Sequence, residues 1–313
     1  MAANVESMMY FGQKPWHGLG TKLHDPATAQ DAIIYAGLDW ECKKVSLYLE
    51  NGLCIPDAFA TVRMNSPFDD IARENILGVV GERYHPLQNK DAFAFFDAIV
   101  GEGQAIYHTA GVLGKGERIW LLAKLPDVIR VAGDDITEKY LLLTNSHNGT
   151  SAVQVKFTPI RVVCQNTLSA SLRDGGDIIN IRHTTNMDEK LKEAHKLLGI
   201  TNTYYQRLDE VFKAMARFSL DSKKLEDYIK AVLPETKDET KNNVIRLFET
   251  GQGNEFREIR GTLWAGLNAF TEYVDWHRPR VKEEKKLHSI WFGSGAQVKQ
   301  RAFDEAVKLL QAA

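Results

Sequence analysis

The spacing of hydrophobic residues changes along this chain of 313 residues. From Trp40 to Leu125 apolar and polar residues mostly alternate, which is typical of strands with one buried face. Beyond Thr185 the apolar residues recur every three or four positions, which is the period of a helix packed on one side. The change predicts an α+β fold, with an N-terminal, mostly antiparallel sheet with packing helices and a C-terminal helical bundle. We expect two domains, over residues 1–185 and 186–313.

Turn residues divide the N-terminal part into paired strands. Asn51-Gly52 and residues 114–116 (GKG) each lie between two alternating segments, so both predict β-hairpins. Residues 1–24 are rich in glycine, tryptophan and histidine, and we expect them to form an ordered loop. Further strands are predicted over residues 139–144, 152–157 and 178–183.

Two helices are predicted among these strands. Thr28 is a good N-cap for the first, because its hydroxyl can accept a hydrogen bond from a backbone N–H of the first turn. Gly37 is suited to end that helix. The second helix is predicted over residues 89–100, where apolar side chains recur at helical spacing.

The C-terminal part carries a regular apolar seam over residues 187–217, with spacings of three and four. Such a seam can line the core of a bundle, or it can be the contact of a homo-oligomer; the sequence leaves both open. The charged run from Lys282 to Lys286 is expected to be a solvated connection. Further helices are predicted over residues 222–233, 239–248, 256–277 and 296–311.

Composition narrows the class of protein. A hydrophobic fraction of 44% is enough to bury an ordinary core. The three cysteines (Cys42, Cys54 and Cys164) are odd in number, which argues against a disulfide framework and favours reduced thiols. Neither a signal peptide nor a run of about 18 apolar residues is found. We therefore expect a cytoplasmic protein with no membrane contact.

The net charge does not by itself indicate what the protein binds. The formal net charge is −2, composed of −6 in residues 1–150 and +4 in residues 151–313. This mild asymmetry is compatible with a local basic patch, and ordinary surface scatter explains it equally well.

No complete catalytic or metal signature is present. Residues 111–116 (GVLGKG) look like a phosphate-binding loop, but no Ser or Thr follows the lysine and no helix follows the loop. We expect a hairpin tip there. The nine histidines show no ligand spacing, so neither a metal nor a cofactor is predicted. Cys164 with His147 invites a nucleophile–base interpretation, but a small buried cysteine at a strand end is the simpler one.

Basic and aromatic side chains alternate along the predicted strands. A sheet that presents both can bind a single nucleic-acid strand, because cations follow the phosphates and rings stack on the bases. Ordinary amphipathic strands produce the same pattern. The predicted nucleic-acid-binding residues are Arg83, Tyr84, Lys115, Arg118, Trp120, Lys156, Arg161 and Arg182.

Four blocks of the sequence resemble one known family. They are residues 78–89 (GVVGERYHPLQN), 145–151 (NSHNGTS), 161–168 (RVVCQNTL) and 261–275 (GTLWAGLNAFTEYVD). In this order they are similar to the phage/plasmid-like protein family, domain-of-unknown-function family 932, whose members occur in phages, prophages and plasmids. The resemblance carries no established activity and implies no catalytic residue. It implies a mobile-element context, in which Rad52-like single-strand annealing proteins act in DNA recombination. The order of helices and strands predicted for the N-terminal part is similar in outline to the core of those proteins.

Three functions stay open. The first is the binding of single-stranded DNA or RNA in mobile-element DNA metabolism, by a protein that oligomerises. The second is an enzyme of unknown reaction, which requires several polar residues to line one pocket. These residues are Asn145, His147, Arg161, Cys164 and Asn166. The third is a host-interaction or anti-defence protein, which needs no chemistry and would be favoured by an exposed apolar patch.

Overall fold

The computed structural model describes residues 5–12, 19–66, 71–100, 106–161, 163, 166–167, 178–183, 201–279, 283–291 and 293–312. The chain forms two compact units that interleave along the sequence. The first unit is Met1–Leu125, Leu141–Lys156 and Ile178–Gly199; the second is Pro126–Tyr140, Phe157–Asp177 and Ile200–Ala313. This differs from the expected domains 1–185 and 186–313, because two N-terminal segments group with the C-terminal helices.

Strands occupy the described residues up to 181. They are β1 Val5–Phe11, β2 Thr21–Leu23, β3 Glu41–Tyr48, β4 Cys54–Met64, β5 Ile76–Gly81, β6 Ile106–Leu113, β7 Arg118–Ala132, β8 Asp135–Ser146, β9 Val153–Phe157, β10 Ile160–Arg161, β11 Asn166–Thr167 and β12 Ile178–Ile181.

Among the described residues, two α-helices lie between strands and the other α-helices follow residue 200, which confirms the α+β class with a helical C-terminal part. The helices are α1 Ala29–Tyr35, α2 Asn89–Val100, α3 Thr201–Arg217, α4 Ser222–Val232, α5 Asp238–Thr250, α6 Leu263–Glu272, α7 Glu283–Trp291 and α8 Ser294–Gln311, with a π-helical turn at Tyr273–His277 between α6 and α7.

The main sheet of the first unit has the order β12–β9–β8–β7–β6–β1–β2, to which β7 and β8 contribute residues 118–125 and 141–146. The β1–β6, β6–β7 and β9–β12 pairs are antiparallel, and β1–β2 is parallel. The GKG segment is the tip of the β6–β7 hairpin, where Leu113 pairs with Arg118. The prediction of a hairpin tip in place of a phosphate loop is therefore confirmed.

The expectation of a loop over residues 1–24 is wrong for its described parts. β1 lies between β6 and β2, and Met8, Met9 and Tyr10 are all buried. Strand prediction relies on alternation, and this run of three buried side chains does not alternate. Residues 13–18 lie outside the described part.

The first unit also contains a small sheet of order β3–β4–β5. Its first hairpin turns at Asn51-Gly52 as predicted, and Gly52 has a φ of +81° that glycine adopts readily. The helix α1 begins as predicted, because the Thr28 hydroxyl accepts from Asp31 N at 3.2 Å. The helix α2 occupies the predicted residues.

In the second unit, β10 pairs with the first half of β8 and β11 pairs with β10. The helices enclose an aromatic core in which the Phe212 and Trp264 ring centroids are 4.6 Å apart. The predicted helix over residues 256–277 begins later, at Leu263, where Thr262 caps it. The predicted solvated connection at Lys282–Lys286 overlaps α7, which begins at Glu283.

The described half of the apolar seam lies in α3. Tyr205, Leu208, Phe212 and Met215 are all buried there, and the Phe212 ring also lies 6.4 Å from that of Phe303. These side chains therefore form core contacts inside the second unit. Residues 187–200 of the seam lie outside the described part of the chain.

Candidate functional site

Two of the residues predicted to contact nucleic acid are buried inside the protein. Trp120 is 1% exposed, and its Nε1–H donates to Thr109 Oγ1 at 3.2 Å. A ring in that position cannot stack on a base, so the prediction for Trp120 is corrected. An aromatic residue on an amphipathic strand can face either side, and here it faces the core.

Arg161 is fully buried in the second unit, and all five of its N–H groups have acceptors. Nε and Nη2 donate to the two Asp135 oxygens at 2.8 Å each. The remaining donors reach Gly253 O at 2.9 Å, Asn254 Oδ1 at 3.0 Å and Gln252 O at 3.4 Å. No N–H group is left for a phosphate, so this predicted contact is corrected as well.

The structure places four other predicted cations on adjoining segments of the first unit. Arg118 Nη2 donates to Ser151 Oγ at 3.4 Å. Burial and, secondly, the charge of Arg118 lower the pKa of Lys156, which shows that these two cations are neighbours. Lys156 lies on β9 opposite Ile178 of the neighbouring β12, and the exposed Arg182 follows the other end of β12, after Ile181.

Arg83 reaches the same region through the segment that follows β5. His85 N donates to His183 O at 3.1 Å, and the Tyr84 ring lies 4.6 Å from the His183 ring. The Tyr84 hydroxyl donates to Ser146 O at 2.8 Å. Arg83 is exposed beside this junction. We refer to Arg83, Arg118, Lys156 and Arg182 as the basic rim.

A hydroxyl-rich turn, residues 146–151, lies within the basic rim. Asn148 Oδ1 accepts hydrogen bonds from Ser146 Oγ at 2.7 Å, Thr150 Oγ1 at 2.6 Å and Thr150 N at 3.1 Å. Gly149 has a φ of +73°, and a Cβ there would lie 2.9 Å from Val80. These donors are satisfied by Asn148 Oδ1 and hold the turn together, which leaves the Ser151 hydroxyl beside Arg118.

The remaining predicted cation, Lys115, is exposed at the β6–β7 tip. Its backbone N–H donates to Glu117 Oε2 at 2.6 Å, and its carbonyl accepts from Arg63 Nη1 at 3.2 Å. Arg63 in turn pairs with Glu6 at 2.8 Å. Carboxylates therefore share this tip, and we leave Lys115 outside the basic rim.

The residues of the enzyme hypothesis do not share one network. Asn145 and His147 belong to a buried polar cluster of the first unit, whereas Arg161 bonds within the second. Cys164 lies outside the described residues, as does the Asn166 side chain. The described members therefore belong to separate hydrogen-bond networks.

Hydrogen bonds determine the protonation of His147. Asn89 Nδ2 donates to Leu38 O at 2.9 Å, so Asn89 Oδ1 is an acceptor, and it lies 3.0 Å from His147 Nε2. Asn145 Nδ2 also lies 3.3 Å from Nε2, but the shorter contact is to the acceptor, so we assign the proton to Nε2. Burial and, secondly, the nearby His183 lower the pKa of His147 to about 3. The ring is neutral at pH 7, and its Nδ1 is an acceptor without a described partner.

Two further buried acceptors lie in this cluster. His183 Nδ1 is 3.1 Å from His85 O, which accepts only, so Nδ1 carries the proton and Nε2 is bare in the neutral ring. Asn145 Nδ2 donates to Leu87 O at 3.1 Å, which identifies Oδ1 as the free end of the amide. Neither Nε2 nor Oδ1 has a hydrogen-bond partner among the described residues.

Sequence reasoning missed the partnership of Asn89 and His183 with His147. Asn89 is 58 positions from His147, and no spacing pattern links the two. The one available signal was that Asn89 and His147 both fall within blocks that resemble the same family.

A separate cavity of about 310 Å³ lies beside Trp40 and Met64. Its charged lining residues are Asp39, Glu41 and Lys90, and Lys90 Nζ lies 3.9 Å from Glu41. The balance is negative, which does not suit a phosphate. The basic rim is therefore the better candidate for an anionic ligand.

The β3–β4 hairpin presents apolar side chains to solvent. Tyr48 and Leu53 are each 63% exposed, and Leu49 is exposed between them. This apolar tip is the patch that a host-interaction protein would be expected to show.

In the described parts of the chain, no three or more His, Cys, Asp or Glu side chains form a group that could hold a metal. Nor does any helix there have the length and apolarity to cross a membrane. A family model described as "Domain of unknown function (DUF932)" matches residues 76–311. No curated protein and no solved structure matches the chain.

Proposed function

The chain belongs to the DUF932 family, and from that premise we propose that it binds single-stranded nucleic acid on the basic rim of its first unit. The observation that carries the proposal is a set of four cations on adjoining segments of the first unit, one of which, Arg118, donates to Ser151 of the hydroxyl-rich turn. Such an arrangement favours an extended anion, because each phosphate of a strand can meet a different cation.

Electrostatics within the basic rim support an anionic ligand. Arg118 and Lys156 are partly buried, and burial lowers the pKa of both. Two neighbouring cations repel each other, and a phosphate bound beside them would offset that repulsion. The Ser151 hydroxyl, which accepts from Arg118 at 3.4 Å, can donate its own proton to a phosphate oxygen.

A single strand suits this surface better than a duplex. Tyr84 is half-buried, and its ring lies 4.6 Å from that of His183. An unpaired base can extend this pair of rings by stacking, whereas the bases of a duplex are already stacked. The wider proposal is a role in mobile-element DNA recombination, in the bacterial host cytoplasm, with annealing if the protein also assembles into rings.

The test is fluorescence anisotropy of labelled oligothymidine across a salt series, with duplex DNA and RNA alongside. We expect single-strand affinity that falls as salt rises, with a logarithmic slope of about −0.7 for each phosphate neutralised. The double variant Arg83→Ala/Arg182→Ala removes exposed side chains and should make the slope shallower by about 1.4. Particle images of the complex would show whether rings form.

Lys22→Ala/Lys90→Ala is the matched control, since both lysines are exposed in the first unit but lie outside the basic rim. It should leave the slope within about 0.3 of the parent value, because neither cation meets a phosphate. Equal slopes for the two double variants would refute the basic rim as the site. No binding even at low salt would refute the function itself.

We also propose a second candidate, the binding of a host protein, which the exposed apolar tip of the β3–β4 hairpin favours. Tyr48→Ser/Leu53→Ser should then abolish the capture of a host protein while leaving oligonucleotide affinity unchanged. Capture that does not depend on these residues would refute this candidate.

A further inference from the structure

We infer that His147, His183 and Asn145 of the first unit hold a divalent transition-metal ion of the zinc class. The inference does not depend on nucleic-acid binding. Neutral imidazole nitrogens are preferred ligands of zinc, copper, nickel and cobalt, whereas magnesium and calcium prefer oxygen. The ligand set therefore selects the class of ion.

His147 has the hydrogen bonding of a metal ligand. Histidine ligands usually donate their second ring N–H to a fixed acceptor, which orients the ring and fixes the tautomer. His147 Nε2 does this toward Asn89 Oδ1 at 3.0 Å, and Asn89 is itself held by Leu38 O at 2.9 Å. The lone pair of Nδ1 is buried and has no described partner.

His183 repeats this arrangement with the opposite nitrogen. Its Nδ1–H donates to the backbone carbonyl of His85 at 3.1 Å, and its buried Nε2 has no described partner. A carbonyl is a common partner of metal-bound histidine. In each histidine one ring nitrogen is hydrogen-bonded and the other is buried without a described partner. One ligand shared by both explains this better than two separate unsatisfied acceptors do.

Contacts place the two histidines in one cluster. The Tyr84 ring lies 4.6 Å from the His183 ring, and its hydroxyl donates to the carbonyl of Ser146, the residue before His147. Asn145 Nδ2 lies 3.3 Å from His147 Nε2. The proximity of His183 also contributes to the lowered pKa of His147.

A metal ion satisfies this cluster better than a water molecule. Three lone pairs face no described donor, and a water can donate only two hydrogens. Two imidazoles and one amide oxygen leave a fourth position of a tetrahedral site open. Because all three ligands are neutral, the ion keeps its full charge, and we expect hydroxide or another anion at the open position.

The test uses the full chain, freed of any histidine tag and dialysed against a chelator. Isothermal titration with Zn²⁺ should give roughly one ion per chain, and Co²⁺ should give the intense visible absorption of a tetrahedral site. His147→Ala and His183→Gln should each weaken Zn²⁺ binding by at least about tenfold. His24→Ala removes an exposed histidine of the same unit and should bind as the parent does.

Circular dichroism of each variant separates loss of the site from loss of the fold. If His147→Ala does not fold, His183→Gln decides the matter, because it keeps the size and polarity of the side chain. Zn²⁺ should raise the thermal midpoint of the parent and of His24→Ala, but not that of the ligand variants. Unchanged Zn²⁺ binding in the folded His183→Gln, or no binding in the parent, would overturn the inference.

Discussion

Arg161→Met tests how much the buried hydrogen-bond network around Asp135 stabilises the second unit, because this one substitution removes all the donors of Arg161. Methionine fills most of the volume but offers no N–H donor. Asp135 is 0% exposed and would keep only the 2.6 Å hydrogen bond from Trp264 Nε1. A buried carboxylate would then lack its counter-charge.

The expected loss in the free energy of unfolding is about 3–5 kcal/mol, the usual cost of removing one partner of a buried pair. Protonation limits the loss. An uncompensated carboxylate can take up a proton. At pH 7 protonation costs an ordinary aspartic acid about 4 kcal/mol, and this cost falls by about 1.4 kcal/mol for each unit by which the pH falls. The deficit against the parent should therefore be largest at neutral pH and should shrink toward pH 5.

The assay is urea unfolding followed by far-ultraviolet circular dichroism, which reports mainly on the helices of the second unit. Arg246→Met is the control, since Arg246 is exposed on α5. Its stability should stay within about 0.5 kcal/mol of the parent. The double variant Arg161→Met/Asp135→Asn should be less destabilised than the sum of its two single variants, because the buried charge is gone.

A loss below about 1 kcal/mol for Arg161→Met, or a deficit that grows as the pH falls, would refute this reasoning. Oligonucleotide affinity gives an independent readout. Because Arg161 has no N–H group free for a phosphate, the folded variant should bind oligothymidine with the parent salt slope. A slope shallower by about 0.7 would restore Arg161 as a phosphate contact.

Two further predictions concern cysteines and glycines. Burial raises the pKa of the Cys42 thiol to about 12, whereas Cys54 is exposed. In a variant with serine at the third cysteine, a disulfide reagent at pH 8 should therefore modify Cys54 quickly and Cys42 only in urea. Two fast phases in the folded protein would contradict this. Gly253→Ala should cost about 2–4 kcal/mol, because Gly253 has a φ of +81° and a Cβ there would overlap the Val163 side chain. Gly52→Ala, with the same φ and open space, should cost only about 1–2 kcal/mol, and equal thermal midpoints for the two variants would disprove the overlap.

The sequence by itself determined the elements whose chemistry is local. Asn51-Gly52 turns a hairpin because Gly52 readily adopts positive φ, whatever packs around it. Thr28 caps α1 through a hydrogen bond to Asp31, three residues away. The α+β class followed from the change of hydrophobic period, because that period reflects the geometry of each single element.

Only the tertiary structure decided which side chains are available for function. Arg161 and Arg182 both lie on or beside predicted strands, yet the first is consumed by Asp135 and the second is exposed. The partners of a buried group come from distant segments, as the 58 positions between Asn89 and His147 show. The spacing of residues along the sequence does not indicate such tertiary contacts. The basic rim, the buried acceptors and the interleaving of the two units therefore became visible only once the segments were packed together.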